Sequence, residues 1–162
     1  MKRIVLSVSV LLIFTLAACG SRKPQNIISN EFGIDVSGGS KISSSDNHGG
    51  FHGDGVTYIA LSFSDHTVLE QIEESNDWNK FPLDETVRAL AYGISNSANS
   101  VGPFLNDGNG NSLVPGIQNG YYRLIDRHTD QKKDILNRCS FNFTLGLYDT
   151  DTDTLYYCKL DT

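Results

Sequence analysis

Ser140-Phe141-Asn142-Phe143-Thr144-Leu145-Gly146-Leu147-Tyr148-Asp149 and Thr154-Leu155-Tyr156-Tyr157-Cys158-Lys159-Leu160-Asp161 flank the tetrapeptide Thr150-Asp151-Thr152-Asp153 near the end of the chain. Apolar and polar residues alternate on both sides of a polar connection, the pattern of a β-hairpin. Pairing Asp149 with Thr154 sets Leu147 against Tyr156, Leu145 against Cys158 and Phe143 against Leu160. All six then share one face, and a slip of one residue would turn them all to the other side. The second face carries Asn142, Thr144, Tyr148, Tyr157 and Lys159, with Tyr157 across from Gly146. An aromatic ring covering a strand glycine stabilises such a pair. This face is expected to be exposed, with Tyr148 and Tyr157 available to a protein or glycan.

Working back from the hairpin, Tyr121 to Arg127 reads as another strand, and His128 to Asn137 as a polar connection or helical turn. In Val56 to Phe63, Ile59, Leu61 and Phe63 point one way and Tyr58, Ala60 and Ser62 the other, giving a half-buried strand. Gly33 to Ser43 is a further candidate strand, bent at Gly38-Gly39. Two helices fall between. Thr67 and Glu70 have capping-box spacing ahead of Ile72, and after Pro82 the residues Leu83, Val87 and Leu90 recur at helical intervals, with Gly93 at the end. The segment from Ile94 to Gly120 is rich in Gly, Asn and Ser, and its Val101, Phe104, Leu105, Leu113, Val114 and Ile117 predict that parts of it pack down. The expected fold is a single α+β domain over residues 31–162: a mainly antiparallel sheet of about five strands, two short helices on one side, and the C-terminal β-hairpin.

The N-terminus bears on location. Lys2 and Arg3 precede an apolar run from Ile4 to Leu16, too short to span a bilayer as a helix, and Leu16-Ala17-Ala18-Cys19 closes it with small residues. This segment resembles the signal peptide and lipobox of bacterial lipoproteins. The resemblance covers only the first twenty residues. It implies removal of residues 1–18, acyl chains on the sulfur and amine of Cys19, and attachment to the cell membrane without a transmembrane helix, since each buried methylene contributes about 0.8 kcal/mol. Gly20 stands where aspartate commonly retains such proteins in the inner membrane, so the resemblance implies the outer membrane in a double-membrane organism, or the outer leaflet of a single one. The domain would face the periplasm or the outside. Residues 19–30 read as the lipidated cysteine and a flexible tether, polar and aperiodic around Pro24, reaching on the order of 35 Å when extended.

The 162-residue chain has net charge −6, and loss of Lys2 and Arg3 makes the remainder more acidic. This argues against nucleic acid, whose binding requires cationic side chains on phosphates. The G-x-S-x-G, H-E-x-x-H and phosphate-loop patterns are all missing from the sequence. A catalytic group assembled from distant residues would draw on His48, His52, Asp54 and His66. Otherwise the expectation is a binding or interaction module of the cell envelope, contacting the membrane through its anchor and an envelope protein or glycan through its loops.

The richest local chemistry lies in Asp46-Asn47-His48-Gly49-Gly50-Phe51-His52-Gly53-Asp54-Gly55. His48, His52 and Asp54 are of the residue types that ligate zinc or another transition metal, so a catalytic or sensory metal site is the alternative reading. A glycine-rich structural turn, its histidines bonded to backbone or carboxylate, accounts for the same residues. Asp149-x-Asp151-x-Asp153 and Asp107-x-Asn109-x-Asn111 begin like calcium loops but lack the later glycine and glutamate of that geometry. With Cys19 lipidated, Cys139 and Cys158 are the remaining cysteines, and an oxidising compartment favours a bond between them. The hairpin register places them roughly 20 Å apart, which opposes it.

Overall fold

The computed structural model describes residues 23–162 apart from 50–52, 96 and 98–99. Its elements are α1 (Pro24–Phe32), β1 (Ser40–Asp46), β2 (Gly55–Ser62), α2 (Thr67–Glu74), β3 (Asn79–Lys80), α3 (Glu85–Ala91), β4 (Ile94–Ser95), β5 (Ser100–Val101), β6 (Gly120–Asp126), a 3-10 turn (Ile135–Asn137), β7 (Asn142–Asp149) and β8 (Thr154–Asp161). The fold is α+β, as the sequence pattern predicts. Six antiparallel strands form the main sheet in the order β1-β2-β8-β7-β6-β3, and β4-β5 is a separate pair. The sixth strand, β3, has two residues and carries no periodic signal.

The hairpin register agrees with the sequence reading at every pair, from Asp149↔Thr154 to Phe143↔Leu160, with Gly146 opposite Tyr157. The face carrying Phe143, Leu145, Leu147, Tyr156, Cys158 and Leu160 packs with Val87, Leu90 and Ala91 of α3. Leu105, Val114 and Ile117 of the long connection join this core, so that segment does pack down. Leu113 N donates to Leu105 O, and Ser112 Oγ donates to Ala91 O at 2.7 Å, tying the connection to α3.

The second face is not exposed. Tyr148 is 0% and Tyr157 1% accessible, beneath Ile28 and Phe32 of α1, Val68 and Ile72 of α2, and Trp78. The reading of these tyrosines as free contact residues is therefore corrected. The two helices recognised in the sequence, α2 and α3, lie on opposite faces of the sheet rather than together. Residues of β2 are also buried on both faces, with Val56, Tyr58 and Ala60 on one side and Ile59 and Leu61 on the other.

The covering helix α1 occupies most of the stretch read as a tether. Pro24 sits at its first position, where its missing N–H costs nothing, and Gly33 terminates it with a left-handed φ of 66°. Only two fully buried apolar residues, Ile28 and Phe32, hold it to the sheet from its own sequence. Spaced four apart, they share one helical face. Arg123 Nη1 donates to Phe32 O at 2.6 Å, and Ser29 Oγ accepts from Val36 N at 3.1 Å, fixing the C-terminal half of the helix. Among the described residues, regular structure is thus already present from Pro24, ahead of residue 31. The candidate strand Gly33–Ser43 is likewise shifted: Ile34 and Val36 are buried in an irregular segment, and β1 starts at Ser40.

Candidate functional site

The loop singled out by its histidines joins β1 to β2. Gly49 and Asp54 form an isolated antiparallel bridge, with Gly49 N donating to Asp54 O at 3.2 Å. Gly55 is required at the foot of this turn, because a Cβ there would lie 2.5 Å from His48 Cα. His48 turns back onto the sheet. Its Nδ1 is 2.7 Å from Asp46 Oδ1 and its Nε2 is 3.4 Å from Asp161 Oδ2, so both ring nitrogens face carboxylates. The contact with His48 holds the Asp46 carboxyl below its ordinary value. Asp54, expected as a co-ligand, contributes its backbone to the bridge and is exposed. His52 lies outside the described residues. Among the described residues no group of three or more His, Cys, Asp or Glu side chains is arranged to hold a metal ion.

What the sequence did not reveal is the polar network that His48 joins. Asp46, Thr57, Lys159 and Thr144 form one row across β1, β2, β8 and β7. Asp161 Oδ1 forms an ion pair with Arg127 Nη2 at 2.7 Å, and Asp161 Oδ2 lies 3.7 Å from Lys159 Nζ. Arg127 also donates from Nη2 to the carbonyls of Phe143 and Leu160, both at 3.1 Å, closing the open end of the hairpin. Glu31 caps the row from α1: its Oε2 accepts from Tyr157 OH at 2.7 Å, and its Oε1 accepts from Thr144 Oγ1. The carboxylates of Asp46, Asp161 and Glu31 each have a donor or a cationic partner, whereas His48 Nε2 is buried without a hydrogen-bond partner. The arrangement joins α1, the loop and the two central strands as a structural network.

Among the described residues, the histidines stand apart from one another. His66 is past the opposite end of β2 from His48, about 25 Å away along eight residues of strand, and stands exposed at 3.3 Å from Asp153. His128 and Ser140 do meet, with Nε2 3.1 Å from Oγ. His128 Nδ1, however, accepts from Asp130 N at 2.9 Å, so its ring proton resides on Nε2 and is donated to the serine. A base would need the reverse tautomer.

Cys139 and Cys158 are both free, Cys139 exposed and Cys158 fully buried against the α3 core, in keeping with the separation that the hairpin register gives them. Burial pushes the Cys158 thiol up, away from the reactive thiolate. The acidic turns are also self-satisfied. Asp107 Oδ1 accepts from Asn109 N and Asn111 N, while Asp149 accepts from Asp151 N and Thr152 Oγ1, each at 2.9 to 3.1 Å.

A small hollow of about 210 Å³ borders the loop at Asn47, Gly55 and Asp161, and a larger open cleft lies elsewhere, at the β3 edge. A cleft of about 580 Å³ is bounded by Leu69 and Glu73 of α2, Lys80 and Phe81 at the end of β3, Gln118 to Tyr121 at the start of β6, and Thr150 of the hairpin turn. Tyr121 OH donates to Glu73 Oε1 at 2.8 Å, a bond that raises the Tyr121 pKa, and Lys80 Nζ stands 6.0 Å from the Tyr121 ring centre. Amide, hydroxyl, carboxylate, cation and ring face are thus presented together. The volume is that of a small-ligand pocket, with a more polar lining than is usual. Phe81 N donates to Gly120 O at 2.9 Å, and Gly120 packs so closely on β7 that a Cβ would lie 1.9 Å from Tyr148 O. The floor is therefore rigid backbone. No signal in the sequence located it, because β3 is two residues long and the lining comes from four separate segments.

No protein-family model, curated protein or solved structure matches this chain.

Proposed function

We propose that the protein is a lipid-anchored binding module of the bacterial cell envelope, held through Cys19 and recognising an envelope protein or glycan through the cleft at β3. The observation that carries this reading is the position of the cleft relative to the chain's entry. Gln25 Nε2 donates to Gly39 O at 2.9 Å, which ties the first turn of α1 to the start of β1 at one edge of the sheet. The cleft is at the other edge, five strand spacings or about 24 Å away. An anchor preceding α1 leaves the cleft directed away from the membrane.

The anchor itself is supported by the Leu16-to-Cys19 pattern. Gly20 after the cysteine favours the outer membrane where two membranes exist. The lining of Glu73, Lys80, Gln118 and Thr150 suits sugar hydroxyls or peptide amides. Capture from solubilised membranes, and from digested cell-wall glycan, compares the wild type with Thr150→Arg, which fills the cleft from a half-buried position in its lining. The reading requires one bound component lost in the variant. Equal capture by both proteins excludes the cleft as the binding surface.

A further inference from the structure

We propose that the β1 edge of the domain, with Ile27 and Ile42 flanked by Lys23 and Lys41, rests on the bilayer surface beside the lipid anchor. This rests on the lipid-anchored reading above and deepens it, naming the surface that meets the membrane. Among the described residues the large hydrophobic side chains left exposed are Ile27, at 41%, and Ile42, at 59%. Single surface isoleucines are ordinary, and position is what distinguishes these two. Ile27 is in the first half of α1, the half nearer β1, because Gln25 is bonded to Gly39 while Glu31 and Phe32 reach the centre of the sheet. Ile42 falls where the β1–β2 register shifts, between Lys41 and Ser43.

The length of chain before the fold supplies the occupant. Only residues 20–23 separate Cys19 from Pro24, so the lipidated residue cannot stand more than about 18 Å from the start of α1. The expected tether of twice that reach is consumed by the helix. At such a distance the β1 edge has little room to leave the surface, whereas the β3 edge stands about 24 Å further across the sheet. Lys23 and Lys41 suit this contact: their long stems accompany apolar neighbours into the interface while the ammonium groups remain among the headgroups. The same edge is poorly made for accepting another strand. It is exposed along all of Ser40–Asp46, but its bulge and Lys41 are features that block edge-to-edge pairing. Asp46, the acidic residue of β1, is at its far end and bonded to His48.

The test uses the mature chain from Cys19, coupled through that thiol to a maleimide lipid in vesicles of phosphatidylethanolamine and phosphatidylglycerol carrying brominated acyl chains. Cys139→Ser leaves Cys19 as the accessible thiol, since Cys158 is buried. Tryptophan is introduced singly at Ile27, Ile42 or, as the distant control, Asn79 on β3. The expected result is quenching and a blue shift of the added emission at 27 and 42, and neither at 79. Equal quenching at all three, or none at 27 and 42, overturns the proposal, as does a dimer on vesicles that protects Ile42 while Ile27 stays in water. Chemical coupling makes the outcome independent of cellular acylation, so failure here leaves the anchor reading standing, and failure of acylation in cells leaves this measurement valid.

Discussion

Replacing Phe32 with alanine tests whether α1 is part of the fold. The ring is 1% exposed, meets Trp78 edge-on at 5.2 Å and 61° and Tyr157 at 5.8 Å and 70°, and lies over Gly146. Truncating a buried phenylalanine costs about 3 to 5 kcal/mol, and edge-to-face aromatic pairs contribute roughly 0.5 to 1.5 kcal/mol each beyond their buried area. The cavity opens above a glycine, so no side chain below can collapse into it, and the cost belongs near the top of that range, about 4 to 5 kcal/mol. Against a typical total of about 5 to 15 kcal/mol this is a large fraction. With a urea slope of about 2 kcal/mol per molar, the midpoint should fall by roughly 2 M. Trp78 is the chain's single tryptophan, so its emission reports on the affected contact directly. A loss below about 1 kcal/mol would show that α1 is held loosely and that the tether reading was sound.

Gly146→Ala should destabilise the domain by about 1 to 3 kcal/mol, because its Cβ would lie 2.7 Å from both Phe32 Cζ and Trp78 Cη2 in a packed layer; denaturant unfolding measures this. High pH should unfold the protein steeply, because burial raises the pKa of Tyr58 and Tyr92 to about 12 and also raises those of Tyr148, Tyr156 and Tyr157. The folded state retains protons that the unfolded state releases near pH 10, so this stability is complete below pH 10 and is lost as pH rises toward 12; tyrosinate absorbance and circular dichroism should change together. Thiol titration of an otherwise native Cys19→Ala protein should find one rapidly reacting group, Cys139, and a second, Cys158, only after denaturation; no free thiol under non-reducing conditions would restore the disulfide.

The hairpin was legible because alternation, turn composition and chain length agreed on one register. Burial of its second face was not. Tyr, Thr and Lys on alternate positions read as a solvated surface, and the segment that covers them, Pro24 to Phe32, offers few apolar residues, one of which, Ile27, is left exposed. Its boundaries were nevertheless written in the chain, with proline at the first helical turn and glycine at the left-handed stop. The partners of His48 illustrate a second limit. Asp46 is two residues away and readable as a neighbour, but Asp161 comes from the far end of the sequence through the order β1-β2-β8. The cleft needs the same long-range information, since Thr150, Lys80 and Glu73 converge only after β6 and β7 have paired.

The central claim is attachment through Cys19, and intact mass analysis of the protein recovered from cell membranes tests it most directly. The account predicts a chain beginning at Cys19, heavier than its amino-acid sequence by the mass of acyl chains and reduced to the bare sequence mass in none of the membrane-bound fraction. A chain that retains Met1, or one that begins at Cys19 without added mass, would contradict it.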